Sequence, residues 1–332
     1  MSAFARKLVR WQRVAGRHGL PWRGTRDPYR VWLSEIMLQQ TQVAAVIPYY
    51  ERFLARFPDV HALARAPEDA VLRLWSGLGY YARARNLHKA ARAVASMGSF
   101  PDTVEGLEAL PGVGRSTAGA ISAFAFGRRA AILDGNVKRV LARCFGGPDD
   151  PWALAESLLP KQDIETYTQA LMDLGATVCT RANPDCARCP VAADCVARRD
   201  GRIAELPAPK PRRAIPSRRA TWLVLAHGAK VLLEQRPSKG LWGGLWTFPE
   251  RDPGALPAQV RERFGCEAGV TRKLASLEHG FTHFRLAIQP LRVEVRAPGG
   301  SRKGQRWMTP AAALRAAIPV PVRAILERLS SS

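Results

Sequence analysis

The sequence predicts two domains of different class: an all-α domain over residues 1–200 that ends in a cysteine-rich module, and a smaller α/β (α+β) domain over residues 218–332. Three observations carry this. Residues 1–200 read as short amphipathic helices joined by Gly/Pro turns, with few strand-like runs. Residues 206–217 (LPAPKPRRAIPS) hold four prolines and three cations. Such a stretch suits neither a regular helix nor a central strand, so residues 201–217 are read as an extended linker. Beyond it the pattern changes. Thr221–Ala226, Val231–Gln235 and Leu291–Val295 look like strands, and Pro257–Phe264 and Val320–Leu329 look like helices.

A chain of 332 residues suits about two domains, and 47% apolar residues are enough for two cores. No apolar run approaches the roughly 18 residues of a membrane helix, so no membrane association is expected. Residues 1–26 contain several arginines and no acidic group, a composition shared with mitochondrial transit peptides. However, Phe4, Leu8, Trp11 and Ala15 follow helical spacing, and a folded first helix is the expectation.

The net charge is +22 and most of it is arginine. The excess is shared: from Ser217 onward there are 19 cations against 8 anions, and before it 31 against 20. Two basic domains on one chain point to a common polyanion, and nucleic acid is the natural choice.

Four of the six cysteines, Cys179, Cys186, Cys189 and Cys195, fall within 17 residues in a C-x6-C-x2-C-x5-C arrangement. A structural zinc usually repeats two short C-x-x-C pairs, and only the central pair here does so. Four thiolates on uneven loops suit a [4Fe–4S] cluster, with zinc and then a disulfide knot as the lesser alternatives. Unpaired, metal-suited cysteines also suggest a reducing cytosol. Cys144 and Cys266 read as inert packing residues.

In Leu110–Ile121 (LPGVGRSTAGAI), a helical stretch runs into Pro111-Gly112-Val113-Gly114 and a second helix begins near Arg115. The glycines allow a tight hairpin with positive φ. They also leave backbone amides bare at a helix N-terminus, where a phosphate can sit. This is a helix-hairpin-helix device for holding DNA backbone without reading sequence; a plain αα-corner is the alternative. Twenty residues after Gly114 stands Asp134, in Ile132–Arg139 (ILDGNVKR). A lone aspartate there is more often a helix cap than a catalyst. Its place after the hairpin changes that weighting.

Hairpin, aspartate and cysteine cage in this order resemble the helix-hairpin-helix DNA glycosylase superfamily. Longer stretches resemble its adenine DNA glycosylase (MutY) family: Leu20–Arg23 (LPWR), Trp32–Val43 (WLSEIMLQQTQV), Gly77–Leu87 (GLGYYARARNL) and Ile132–Arg139. The resemblance implies removal of adenine mispaired with 8-oxoguanine, or less efficiently with guanine, by hydrolysis of its glycosidic bond. The partner would be double-stranded DNA carrying those mispairs. The protein would be a monomer of the bacterial cytoplasm, working at the nucleoid.

By family position, Glu35 is the acid that protonates adenine. Its neighbours Ile36, Met37 and Leu38 are apolar, and burial would keep its carboxyl protonated. Asp134 would stay ionised and stabilise or transiently trap the sugar cation, with Asn136 orienting it. Related lyases place a lysine just after the hairpin to form a Schiff base, but here the slot holds Ser116. A hydroxyl makes no imine, so base removal that leaves an abasic site is the expectation. Gly112, Val113, Gly114 and Ser116 would face the DNA backbone with Arg23, while Gln40, Leu78 and Tyr80 would fill or wedge the stack around a flipped base. Trp75 and Tyr81 are read as either packing or contact residues.

The second domain resembles a Nudix fold. Gly240–Pro249 (GLWGGLWTFP) begins as that family does, but Ala258–Gly265 (AQVRERFG) carries one glutamate where paired carboxylates would hold magnesium. Pyrophosphate hydrolysis is therefore not expected. The resemblance implies instead that Phe281–Phe284 (FTHF) reads 8-oxoguanine, through Thr282 and His283.

Overall fold

The computed structural model describes residues 1–208, 214–252, 254–300 and 302–330. Residues 209–213, in the middle of the expected linker, lie outside the described residues. The chain packs as two compact units, one of residues 1–65 with 86–211 and the other of residues 66–85 with 212–332. A boundary drawn at the linker alone therefore misassigns residues 66–85, which pack with the second unit.

The first unit is helical. Its first helix, Ala3–Ala15, is capped by the Ser2 hydroxyl and buries Ala5, Leu8, Val9 and Gln12. Gln12 Nε2 donates to Asp173 at 3.0 Å, tying this helix to Ile164–Asp173. Asp173 is fully buried and also accepts from Arg17 and Gln169, so its charge is compensated from three sides. Helix Pro28–Leu38 begins with Asp27 as N-cap and a proline in its first turn. Seven of its eleven residues are buried, which marks it as a central helix rather than a surface one. Helix Arg115–Phe126 packs on it, and small residues let it approach the chain that leads to Asp134. At Gly119 a Cβ would lie 2.3 Å from the Ala131 carbonyl oxygen, so only glycine fits.

The second unit is built on a mixed sheet. Its strands are β1 (Ser217–His227), β2 (Lys230–Gln235), β3 (Trp246–Thr247), β4 (Ala268–Lys273), β5 (Leu277–Gly280), β6 (Arg285–Val295) and β7 (Gln305–Met308). The order is β3-β2-β1-β6-β4, with β5 also on β6 and β7 also on β2. β1 and β6 run parallel, with Trp222 opposite Pro290, and the other pairs are antiparallel. Leu223, Leu225, Leu232, Val293 and Cys266 pack with Val260 and Phe264 of helix Leu256–Phe264 to make the core. Residues 66–85 join this unit through specific bonds. Trp246 Nε1 donates to Asp69 at 3.2 Å, and the Ser76 hydroxyl donates to the Ile318 carbonyl. No helix among the described residues is long and apolar enough to cross a membrane.

Candidate active site

Glu35 sits on the third turn of helix Pro28–Leu38, in a pocket lined by Trp22, Arg23, Ser34, Phe124, Glu165 and Gln169. Burial, reinforced by the negative charge of Asp134, pushes its carboxyl up to about 8. At neutral pH it is therefore protonated, as a general acid must be. The electrostatic coupling also brings Glu35 and Asp134 into one site.

Asp134 is the N-cap of helix Gly135–Phe145 and its Oδ1 accepts from the Asn136 and Val137 amides at 2.8 and 2.7 Å. Two backbone donors fix the carboxylate in place. The cap and the candidate catalyst are thus one group. Asn136 orients it differently from expectation: the contact runs through the backbone N–H, while its side-chain Oδ1 accepts from Arg139 at 2.9 Å. Ser116 does more than lack an amine, because its hydroxyl accepts from the Leu133 amide at 3.0 Å, one residue before Asp134.

The hairpin forms, with one difference. Gly112 has φ of +81°, but Gly114 has φ of −101° and serves as N-cap of helix Arg115–Phe126. A Cβ at Gly114 would meet nothing within 4 Å, so its use is open space in front of the amides rather than a special backbone conformation. Val113 is buried beneath the turn, and Gln39 braces it by donating to the Gly112 carbonyl and the Thr117 hydroxyl, both at 3.3 Å. Gln40, beside it, is exposed with φ of +56°.

Arg23 belongs to the Glu35 pocket rather than to open surface. It donates from Nε and Nη2 to the Arg17 carbonyl at 3.1 and 2.9 Å, and burial lowers its pKa. Trp22, Glu165 and Gln169 are pocket residues that sequence reasoning did not single out. Gln169 lies one turn before Asp173 on a separate helix and gives no local signal.

In the second unit, Tyr80 and Thr282 meet: their hydroxyls lie 2.8 Å apart. Tyr80 is 46% exposed with φ of +48°, and Thr282 and His283 are exposed at the tip of the β5–β6 hairpin. Leu78 is only 7% exposed and does not project as a wedge. Trp75 and Tyr81 are buried and shape the loop from inside, since Trp75 Nε1 donates to the Gly79 carbonyl and the Tyr81 hydroxyl accepts from the Gly77 amide.

The four clustered cysteines are unpaired and half-buried, and they line one cavity together with Arg143. Among the described residues, no three His, Cys, Asp or Glu side chains are gathered closely enough for a single metal ion. Four cysteines lining one cavity are a donor set that fits an iron–sulfur cluster. Arg143 adds a second sign. It is 4% exposed and donates to three carbonyls and to the Cys179 sulfur at 3.5 Å. A buried guanidinium among carbonyls calls for a nearby anion, and thiolates holding a cluster in this cavity would supply one. Cys144, expected to be inert, lines the same cavity and hydrogen-bonds Cys195.

A description of the HhH-GPD superfamily of base excision DNA repair proteins matches residues 33–159, and one of the NUDIX domain matches residues 220–328. The chain is 40% identical over 298 residues to an adenine DNA glycosylase of Buchnera aphidicola subsp. Baizongia pistaciae, covering 87% of this chain and 85% of that protein. It is 36% identical over 386 residues to the adenine DNA glycosylase of Homo sapiens, covering 93% of this chain and 70% of the human protein. A solved thermostable thymine-DNA glycosylase matches with a TM-score of 0.56 and 30% identity, over 59% of this chain and 95% of that one. A non-covalent endonuclease III–DNA complex shares the fold, with a TM-score of 0.52 and 23% identity over 60% of this chain and 94% of that one. At this identity and coverage, the chain belongs to the adenine DNA glycosylase family and is a base-excision repair DNA glycosylase.

Proposed function

We propose that this enzyme removes adenine from double-stranded DNA where it is mispaired with 8-oxoguanine, and more slowly where it is mispaired with guanine, leaving an abasic site. The observation that carries the chemistry is the Glu35 carboxyl, held protonated near neutrality beside Asp134. Glu35 donates its proton to the adenine ring as the glycosidic bond lengthens, so the base departs neutral. Asp134, held by two amides, faces the developing oxocarbenium ion and stabilises it by charge or by a transient bond. Water then adds to the sugar carbon, displacing Asp134 if a bond to it has formed, and the Glu35 carboxylate takes the water's proton and is restored as the acid. With a hydroxyl at Ser116 no Schiff base forms at that slot, so the strand is left intact.

The hairpin amides after Gly114 and the basic surfaces of both units would hold phosphates without reading sequence. Tyr80 and Thr282, already hydrogen-bonded, with His283 beside them, are well disposed to read the base opposite adenine. Cys179, Cys186, Cys189 and Cys195 would hold a [4Fe–4S] cluster, with Arg143 balancing its charge. When bound, the cluster supplies four metal–sulfur bonds that cross-link a segment with little regular structure.

Single-turnover adenine release from duplexes carrying adenine opposite 8-oxoguanine, guanine or thymine tests the assignment. The expected order is 8-oxoguanine, then guanine, with thymine lowest. Equal release from all three removes the 8-oxoguanine assignment, and nicking without added base marks a lyase. Iron analysis should give four irons per chain, and stoichiometric zinc would replace the cluster assignment.

A further inference from the structure

The Gly240–Pro249 motif resembles the start of a Nudix site, yet the proposed function makes no use of it. We infer that Trp242, the third residue of this motif, is a positioning residue that holds Tyr80 and Thr282 together for reading the base opposite adenine. The inference rests on the reading of that turn given above. Trp242 is 6% exposed and has φ of +53°, a conformation that glycine adopts readily and a tryptophan rarely does. Bulky residues persist there when their surroundings over-determine them, and those surroundings lead in two directions.

On one side stands a column of rings. Trp242 lies 5.5 Å from Trp222, 5.7 Å from His279 and 5.3 Å from Phe281, centroid to centroid. His279 lies edge-on to Phe281 at 4.6 Å, Phe281 stacks on Phe284 at 4.5 Å, and the Arg218 guanidinium covers Phe284 at 4.5 Å. Phe281 and Phe284 are the two feet of the turn that carries Thr282 and His283 at its tip. The turn has one backbone bond of its own across these feet, from the Phe281 amide to the Phe284 carbonyl at 2.8 Å. Below the feet the hairpin is paired as far as Gly280 and Arg285, and at the turn itself the rings add the further support.

On the other side the loop meets residues 66–85. Arg85 Nη1 donates to the Gly243 carbonyl at 2.6 Å, and a Cβ on Gly244 would come within 3.1 Å of Leu72. Gly243 is fixed in turn, since a Cβ there would lie 2.4 Å from the Ser238 carbonyl oxygen. Arg85 and Tyr80 flank the start of one helix, Ala82–Met97. The circuit then closes through the 2.8 Å bond between Tyr80 and Thr282. Two loops separated by 202 positions in the sequence are thus spaced by a single rigid turn, with Trp242 at its hinge.

The test compares adenine release opposite 8-oxoguanine with release opposite guanine, in the full-length protein. Trp242→Gly keeps the backbone conformation and removes the ring, Trp242→Phe keeps a ring, and Arg85→Met cuts the opposite anchor. For Trp242→Gly and Arg85→Met the preference for 8-oxoguanine should fall by roughly two- to tenfold, the scale of one hydrogen bond. Release opposite guanine should stay unchanged, and Trp242→Phe should restore most of the preference. Adding Thr282→Ala to either variant should cost nothing further, because both act through one contact. If Thr282→Ala with His283→Ala leaves the preference intact, the reading of the turn fails and the role of Trp242 falls with it. If that pair lowers the preference while Trp242→Gly and Arg85→Met do not, only the role of Trp242 is overturned. Equal loss opposite both bases likewise overturns it, in favour of a merely structural tryptophan. Should Trp242→Gly fail to fold, Arg85→Met alone decides.

Discussion

The carboxylate site and the β5–β6 turn are built on opposite plans. Glu35 is enclosed in a helix buried on nearly every side, and its partner Asp134 is held by backbone amides. Thr282 and His283 stand in solvent at a hairpin tip and are supported from beneath by stacked rings. The difference follows from the tasks. Proton transfer needs a carboxyl deprived of water, and desolvation demands enclosure. Reading a base demands groups that stay accessible until DNA arrives, so rigidity has to come from below rather than from around.

The sharpest way to break this contrast is Glu35→Gln, which keeps the size of the side chain and removes its proton. Adenine release should fall about 10²–10⁴-fold, the usual worth of general acid catalysis, while mismatch binding persists in a gel-shift assay. Near-normal release would take Glu35 out of the chemistry. Next in size is the pH response. With its value near 8, Glu35 should support a flat rate at lower pH and lose about tenfold per pH unit above it. The stability contribution has the same sign. The folded value lies above the free value of 4.5, so this group stabilises the fold fully below 4.5 and progressively less as pH rises through about 8. A rate still climbing at pH 9 would contradict the first, and unfolding stability that rises between pH 7 and 9 on Glu35 alone, by comparison with Glu35→Gln, the second.

Ser116 gives a smaller and two-sided effect. Ser116→Ala deletes the acceptor for the Leu133 amide and should slow release roughly two- to tenfold, with Ser116→Thr close to native. Ser116→Lys should add borohydride-trappable adduct and strand nicking while showing the same slowing. Strong trapping by the native protein would refute the reading of that slot. Smallest of all, because it leaves release opposite guanine intact, should be Thr282→Ala with His283→Ala, which should lower preference for 8-oxoguanine over guanine by roughly two- to tenfold. A loss of release opposite guanine as well would make the turn part of the catalytic machinery and erase the contrast.

Much of the catalytic half was legible in the sequence because its signals are contiguous. The hairpin, the ILDGN run and the cysteine spacing each fit within some 20 residues. What escaped was assembled across the chain. Trp22, Glu165 and Gln169 reach the Glu35 pocket from separate segments, and no local pattern marks them. Leu78 reads as an apolar wedge beside Gln40 and Tyr80, yet its side chain is buried. In the second unit the long β6 was seen only from Leu291, since Pro290 looks like a break; the strand tolerates a missing amide there and runs from Arg285. β4 was missed because an edge strand with five exposed residues shows no alternation. The attachment of residues 66–85 to the second unit was equally hidden, because Asp69 and Ser76 find their partners more than 170 positions away.

One arginine joins the cysteine segment to the catalytic helix. Arg139 donates to the Cys179 carbonyl at 2.8 Å, to the Gly175 carbonyl at 2.6 Å and to the Asn136 side chain at 2.9 Å. Gly175 lies so close that a Cβ would stand 2.6 Å from that of Asn136. A shift of a few tenths of an ångström at the first cage cysteine therefore has nowhere to dissipate before it reaches the amide that aims Asp134. On the proposed reading, the cysteine segment is a calibration standard for the chemistry: an enzyme whose cage has been damaged would go out of adjustment, and fall silent, well before it came apart.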